Sequence, residues 1–94
     1  MTHEDYFKEA MRTVSEVTGV PELAILHSNI RSHADARHVL VSALSRIMTD
    51  AEIGSFLSRT SQGIGFIRRS VRGSRMVDYN LKVVCKRLES ALFS

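Results

Sequence analysis

The chain has 94 residues, 44% hydrophobic and 24% charged, with one Pro, five Gly and one Cys. That is enough for one small core and too little for a second domain or a full nucleotide-hydrolysing module. The balance is that of a globular domain, not of a disordered tail or a fibrous repeat. The formal net charge of +3 says little about partners until its distribution along the chain is read.

The first segment places Phe7, Ala10, Met11, Val14 and Val17 at helical spacing, which predicts an amphipathic helix over 3–18 with Thr2 as N-cap and Gly19 as its stop. Pro21 suits the first turn of a short second helix, with Leu23, Ile25 and Leu26 as its apolar contacts and an end near Ser28 or Asn29. Ala36, Val39, Leu40, Ala43, Leu44, Ile47 and Met48 recur at i, i+3, i+4 and i+7 and predict the central core helix over 33–48, capped by Ser32. Thr49 and Glu52 have capping-box spacing, so a short helix over 50–57 follows. Residues 58–61 break the pattern, and Ile64, Ile67 and Val71 mark the apolar face of a further helix ending near Gly73. The last helix, capped by Ser74, carries Val77, Leu81, Val84, Leu88 and Leu92 and runs nearly to the C-terminus. No strand pattern or repeat is present. The expected architecture is all-α, one compact bundle of about six helices over 1–94 with a helix-turn-helix near 50–73.

Charge is unevenly placed. Over residues 1–30, Lys8 and Arg12 stand against Glu4, Asp5, Glu9, Glu16 and Glu22, a net −3. Over residues 59–87, Arg59, Arg68, Arg69, Arg72, Arg75, Lys82, Lys86 and Arg87 stand against Asp78 alone, a net +7. A short helix, a tight turn and a basic second helix let one element enter the DNA major groove while its neighbour crosses the backbone. Opposite Ile64 on the second helix lie Gln62, Phe66 and Arg69, with Gly65 and Arg72 toward one edge. Gln and Arg pair bidentately with adenine and guanine edges, and Phe touches a thymine methyl. The competing reading of the arginines is a solvated face, and that of Phe66 is burial against the first helix. Gly63 and Gly65 weaken the helix, and either admit a phosphate close to the backbone or mark a frayed first turn.

The stretch Val14-Ser-Glu-Val-Thr-Gly-Val20, then Ser28 and Arg31, Ala36-Arg37-His38, and Met48-Thr-Asp-Ala-Glu-Ile-Gly54 occur in an order and spacing similar to the C-terminal DNA-binding domain of the bacterial replication initiator DnaA. The resemblance covers about Val14 to Leu88 and implies a Trp-repressor-like helical fold. The family's diagnostic Arg-Asp-His-Ser/Thr-Thr-Val reads Arg59-Thr60-Ser61-Gln62-Gly63-Ile64 here, so Arg59 and Ile64 match while the Asp-His pair is replaced. The resemblance implies that Arg59 holds phosphate and that the following residues face bases, with altered or lost recognition of the family's usual box. It also implies that Arg31 stands at the family's minor-groove arginine, although Asn29 replaces the usual Lys. There is no GxxxxGK[ST] loop, so a complete initiator is excluded, and the resemblance implies a stand-alone relative or an excised domain.

Other chemistry is weak. His3, His27, His33 and His38 have no metal-ligand spacing and are read as surface or hydrogen-bonding residues, His33 with the further option of a phosphate contact when protonated. Cys85 is read as a buried packing residue, with a reactive thiol as the lesser alternative; as the only cysteine it excludes an intrachain disulfide and points to a reducing compartment. The N-terminus lacks an apolar segment, and no run approaches the roughly 18 apolar residues that span a bilayer. No enzyme, metal or cofactor is expected, and the expected location is cytoplasmic, at the nucleoid, with no membrane partner.

The leading expectation is a sequence-specific binder of double-stranded DNA, as monomer or homodimer, in replication or transcription control. Arg59, Arg68, Arg69 and Arg72, with Arg31 and Arg75, hold phosphates, while Thr60, Ser61, Gln62 and Phe66 face bases and Gly63 lies at the helix entry. The alternative is a protein-interaction module that kept the fold and lost base reading, using Phe66 or the acidic first helix to bind a replication or regulatory partner. A regulator controlled by a small ligand is a third option for which the sequence specifies no pocket.

Overall fold

The computed structural model describes residues 1–70 and 75–93, with side chains described through Ala91. Among the described residues there are six α-helices and no strand, so the all-α expectation holds. They are α1 (His3–Thr18), α2 (Glu22–His27), α3 (Arg31–Leu44), α4 (Asp50–Leu57), α5 (Ser61–Arg69) and α6 (Arg75–Phe93).

α1 starts where Thr2 and Asp5 form a reciprocal capping box and ends at Gly19, whose φ of 74° is left-handed and suits a residue without Cβ. One face of α1 buries Tyr6, Ala10, Met11 and Val14 against α3 and α6. Phe7 and Val17 are only partly buried. α3 packs against α1, α2, α5 and α6, and Val39, Leu40, Ala43 and Leu44 on it are fully enclosed. From α6, Val77, Val84 and Leu88 complete the same core, with Leu81 and Cys85 half-buried against it. Each such large apolar side chain contributes about 1.5–3 kcal/mol on leaving water, and α3, packed against four of the other helices, is central to the core.

The boundaries differ from the sequence pattern in three places. α3 begins at Arg31, not at 33: Ile30 supplies the extended cap (φ −62°, ψ 138°) with no side-chain bond, so Ser32 lies inside the helix. It ends at Leu44, and residues 45–47 form a turn, which leaves Ile47 41% exposed while Met48 still reaches the core. α5 stops at Arg69 because Ser70 is extended (φ −63°, ψ 131°). Leu23, expected to supply an apolar contact of α2, is exposed. Val71, Gly73, the Ser74 cap and the Leu92 side chain lie outside the described residues.

Two ionisable side chains are inside. Arg37 lies on the buried side of α3, donating from Nε to the Ile25 carbonyl (2.6 Å) and from Nη2 to the Ser28 carbonyl (2.6 Å), which pins the end of α2. His38 bonds through Nδ1 to the Ile67 carbonyl (2.9 Å). A carbonyl only accepts, so Nδ1 carries the proton. That bond and the fully buried Ile64 fasten α5 to α3. α4 is held to α1 by a Phe7–Phe56 ring stack (centroids 4.8 Å, 14°) and by His3 Nδ1 against Glu52 Oε2 (2.5 Å).

Candidate nucleic-acid interface

α4 and α5 are joined by Ser58, Arg59 and Thr60, and the sharpness of this turn has a specific cause. The Arg59 N–H donates to the Gly54 carbonyl at 2.8 Å, and a Cβ on Gly54 would stand 2.4 Å from the Arg59 carbonyl oxygen. Only glycine lets the chain fold back this closely. Ser58 takes the left-handed conformation (φ 56°, ψ 43°) that turns the backbone out of α4. Thr60, extended, then caps α5 by accepting the Gly63 N–H at Oγ1 (3.0 Å). Thr49 caps α4 in the same way, accepting the Glu52 N–H at 3.2 Å. The Glu52 carboxylate, however, goes to His3 and not back to the cap, and the imidazole holds the Glu52 carboxyl below its ordinary pKa.

α5 buries Ile64 and turns its opposite side to solvent. At 100° per residue, Gln62, Phe66 and Arg69 fall at about 140–200° from Ile64. All three are exposed, as is Ser61 in the first turn. Phe66 is 73% exposed, so burial against the first helix is not what occurs. Arg59, at the turn, is exposed and donates from Nη2 to the Leu26 carbonyl (3.2 Å), tying the turn to the end of α2. Arg31, also exposed, opens α3 three residues beyond Ser28. Ser28 Oγ accepts the Ile30 N–H (3.2 Å) and meets His33 Nδ1 (2.7 Å).

Other site residues are placed differently. Arg68 turns toward α4 and makes a two-pronged pair with Asp50, Nε to Oδ1 at 3.2 Å and Nη2 to Oδ2 at 3.0 Å. Arg68, with a further contribution from the Arg69 charge, holds the Asp50 carboxyl below its ordinary pKa, and the Asp50 carboxylate raises that of Arg68. A Cβ on Gly65 would lie 3.0 Å from Arg69 Nη1 and 3.3 Å from Asp50 Oδ2. Gly65 is therefore buried where one carboxylate and the Arg69 guanidinium converge, a packing role and not an opening for phosphate. The Gly63 N–H is spent on Thr60. Arg75 is exposed at the start of α6, and Arg72 lies outside the described residues.

Sequence reasoning missed Asp50, because a carboxylate far from the basic helix in sequence carries no local signal of its arginine partner. It also gave Thr60 to base contact without seeing its cap geometry, although a Thr three residues before a Gly amide is a legible cap position.

Between Glu52 and Asp78 the sequence holds no acidic residue. The acidic first helix, by contrast, is largely neutralised locally. Glu4 pairs with Lys8 (3.3 Å), Glu9 and Glu16 with Arg12, and Glu16 also with Arg87 (3.2 Å) across to α6. Two depressions, about 480 and 170 Å³, are lined by no residue of α4 or α5. The larger is an open groove between α1 and α6 with mixed charge, lined by Glu9, Arg12, Glu16, Lys86 and Arg87 among others. Among the described residues no group of three or more His, Cys, Asp or Glu side chains comes together as metal ligands, and no helix is long and apolar enough to cross a membrane. No family model matches the chain, and comparison with curated proteins and with solved structures finds none that matches it.

Proposed function

We propose that the chain is a sequence-specific binder of double-stranded DNA in which α4, its turn and α5 act as a helix-turn-helix, in the manner its resemblance to the DnaA C-terminal domain implies, with a role in replication or transcription control. One observation carries the reading: the outward side of α5 presents Ser61, Gln62, Phe66 and Arg69, with Arg59 at its entry, while the nearby Asp50 carboxylate is paired with Arg68. A helix of nine residues is about 13.5 Å long and slim enough for the major groove. Arg59, Arg69 and Arg31 then hold phosphates, with Arg75 and Arg72 extending the basic track, while Ser61, Gln62 and Phe66 meet base edges. Thr60 serves by fixing the start of α5. Arg68 contributes after exchanging Asp50 for phosphate.

The exposure of Phe66 favours a second reading, a protein-interaction surface. The acidic side of α1 supports it poorly, since most of its carboxylates are already paired.

Fluorescence anisotropy with a random-sequence duplex pool across a salt series, followed by sequencing of the retained DNA, tests the proposal. Affinity falling with salt at a log–log slope of about −0.9 per phosphate neutralised, with an enriched sequence, supports it. Salt-sensitive binding without enrichment reduces the role to nonspecific DNA binding, and no binding at low salt overturns it.

A further inference from the structure

Phe66 is unlike the rest of the α5 surface. Its neighbours on the helix are Gln62 one turn before, Arg69 nearly one turn after, and Gly63 and Gly65, which have no side chains. The other large exposed apolar residues, Met1, Leu23, Ile30, Ile47, Met76 and Tyr79, belong to other segments. A protein interface needs an apolar centre of several residues within a polar rim, and on α5 Phe66 stands alone. A phenyl ring also has no atom that pairs with the donors and acceptors of base edges. In the major groove the one apolar group offered to it is the pyrimidine 5-methyl of thymine, or of 5-methylcytosine.

We propose that Phe66 makes this surface a reader of the pyrimidine 5-methyl group, so that its preferred duplexes carry thymine or 5-methylcytosine where Phe66 meets the groove. The inference rests on the DNA-binding reading above. Gln62 and Phe66 are separated by about 6 Å along the helix axis. With the axis along the groove this is about two base pairs. The side-chain amide of Gln62 pairs with adenine N6 and N7, so the recognised element combines an adenine with a 5-methylpyrimidine about two base pairs away.

Duplexes that carry the methyl at every position, or at none, test this whatever the preferred sequence. The full chain is titrated by anisotropy against two matched pairs: an A·T-only duplex against its A·U counterpart, and a G·C-only duplex against the same duplex with every cytosine 5-methylated. In both pairs the methyl-bearing member binds about three- to ten-fold more tightly, the scale set by burying one methyl and its surroundings. The Phe66→Ala variant, whose fold is checked by circular dichroism, loses this preference while keeping its salt dependence. Equal affinity within both pairs for the wild-type chain overturns the inference and leaves the phosphate contacts standing. So does a methyl preference that survives in Phe66→Ala, since the methyl then acts through duplex shape. Absence of salt-sensitive binding to all four duplexes overturns the DNA reading and this inference together.

Discussion

Replacing Gly54 by Ala isolates the contact that shapes the interface. In an ordinary helix interior this change stabilises, by about 1 kcal/mol, because Ala restricts the unfolded chain. Here the new methyl carbon would stand 2.4 Å from the Arg59 carbonyl oxygen, 3.3 Å from the Arg59 carbonyl carbon and 3.4 Å from that of Thr60. All three atoms are backbone, so no side chain can swing away. To reach ordinary contact the turn must retreat by about 1 Å, which breaks the 2.8 Å bond from the Arg59 N–H to the Gly54 carbonyl. Overpacking of this kind costs about 1–3 kcal/mol and a lost backbone bond about 1 kcal/mol more. After the helix gain, a net loss of about 2 kcal/mol remains, or roughly 10 °C in Tm for a chain of this size. Urea and thermal unfolding followed by far-ultraviolet circular dichroism measure it. A Gly54→Ala protein as stable as the parent, or more so, refutes the steric account of the turn.

Further expectations follow from the same geometry. Arg37→Met leaves the Ile25 and Ser28 carbonyls without their guanidinium partner, and denaturant unfolding should show a loss of about 2–4 kcal/mol. Ser58→Gly relieves a left-handed residue and raises stability by up to about 1 kcal/mol in the same assay. Asp50→Asn releases Arg68, so duplex affinity at low salt rises and the salt slope steepens by about 0.9, the value of one more phosphate contact. Acid weakens the fold through Asp50 and Glu52, both held below their ordinary pKa by Arg68 and His3. Their contribution is complete above the unfolded-state values near about 4 and declines as pH falls through the lower folded values. A pH series of unfolding midpoints should therefore lose part of its acid limb in the Asp50→Asn, Glu52→Gln double variant.

Much of the fold was legible because α1 and α4 announce themselves twice, by an apolar period and by a cap. Thr2, Gly19 and Thr49 stop or start helices where their chemistry says they should. Other features have no local signal. Ile30 caps α3 by backbone alone, so the polar Ser32 looked like the better start. Arg37 and His38 sit on the core side of α3 because carbonyls of α2 and α5 receive them, partners 12 and 29 residues away that no periodicity reveals. The outward face of α5 was readable from the 100° repeat once Ile64 was taken as buried. The diversion of Arg68 to Asp50 was not, since it depends on how α4 and α5 pack. Gly54 was visible only as the end of the Met48–Gly54 stretch, and the 2.4 Å approach explains why glycine is required there.

The central claim, that the outward side of α5 binds duplex DNA, is tested most directly by reversing one charge. Arg69 is exposed, lies on the same side as Gln62 and Phe66, and acts on Asp50 through its charge alone. Arg69→Glu should leave the circular dichroism spectrum unchanged and abolish anisotropy binding to a random duplex pool at low salt. An Arg69→Glu protein that is folded and binds the pool as tightly as the parent would contradict the claim.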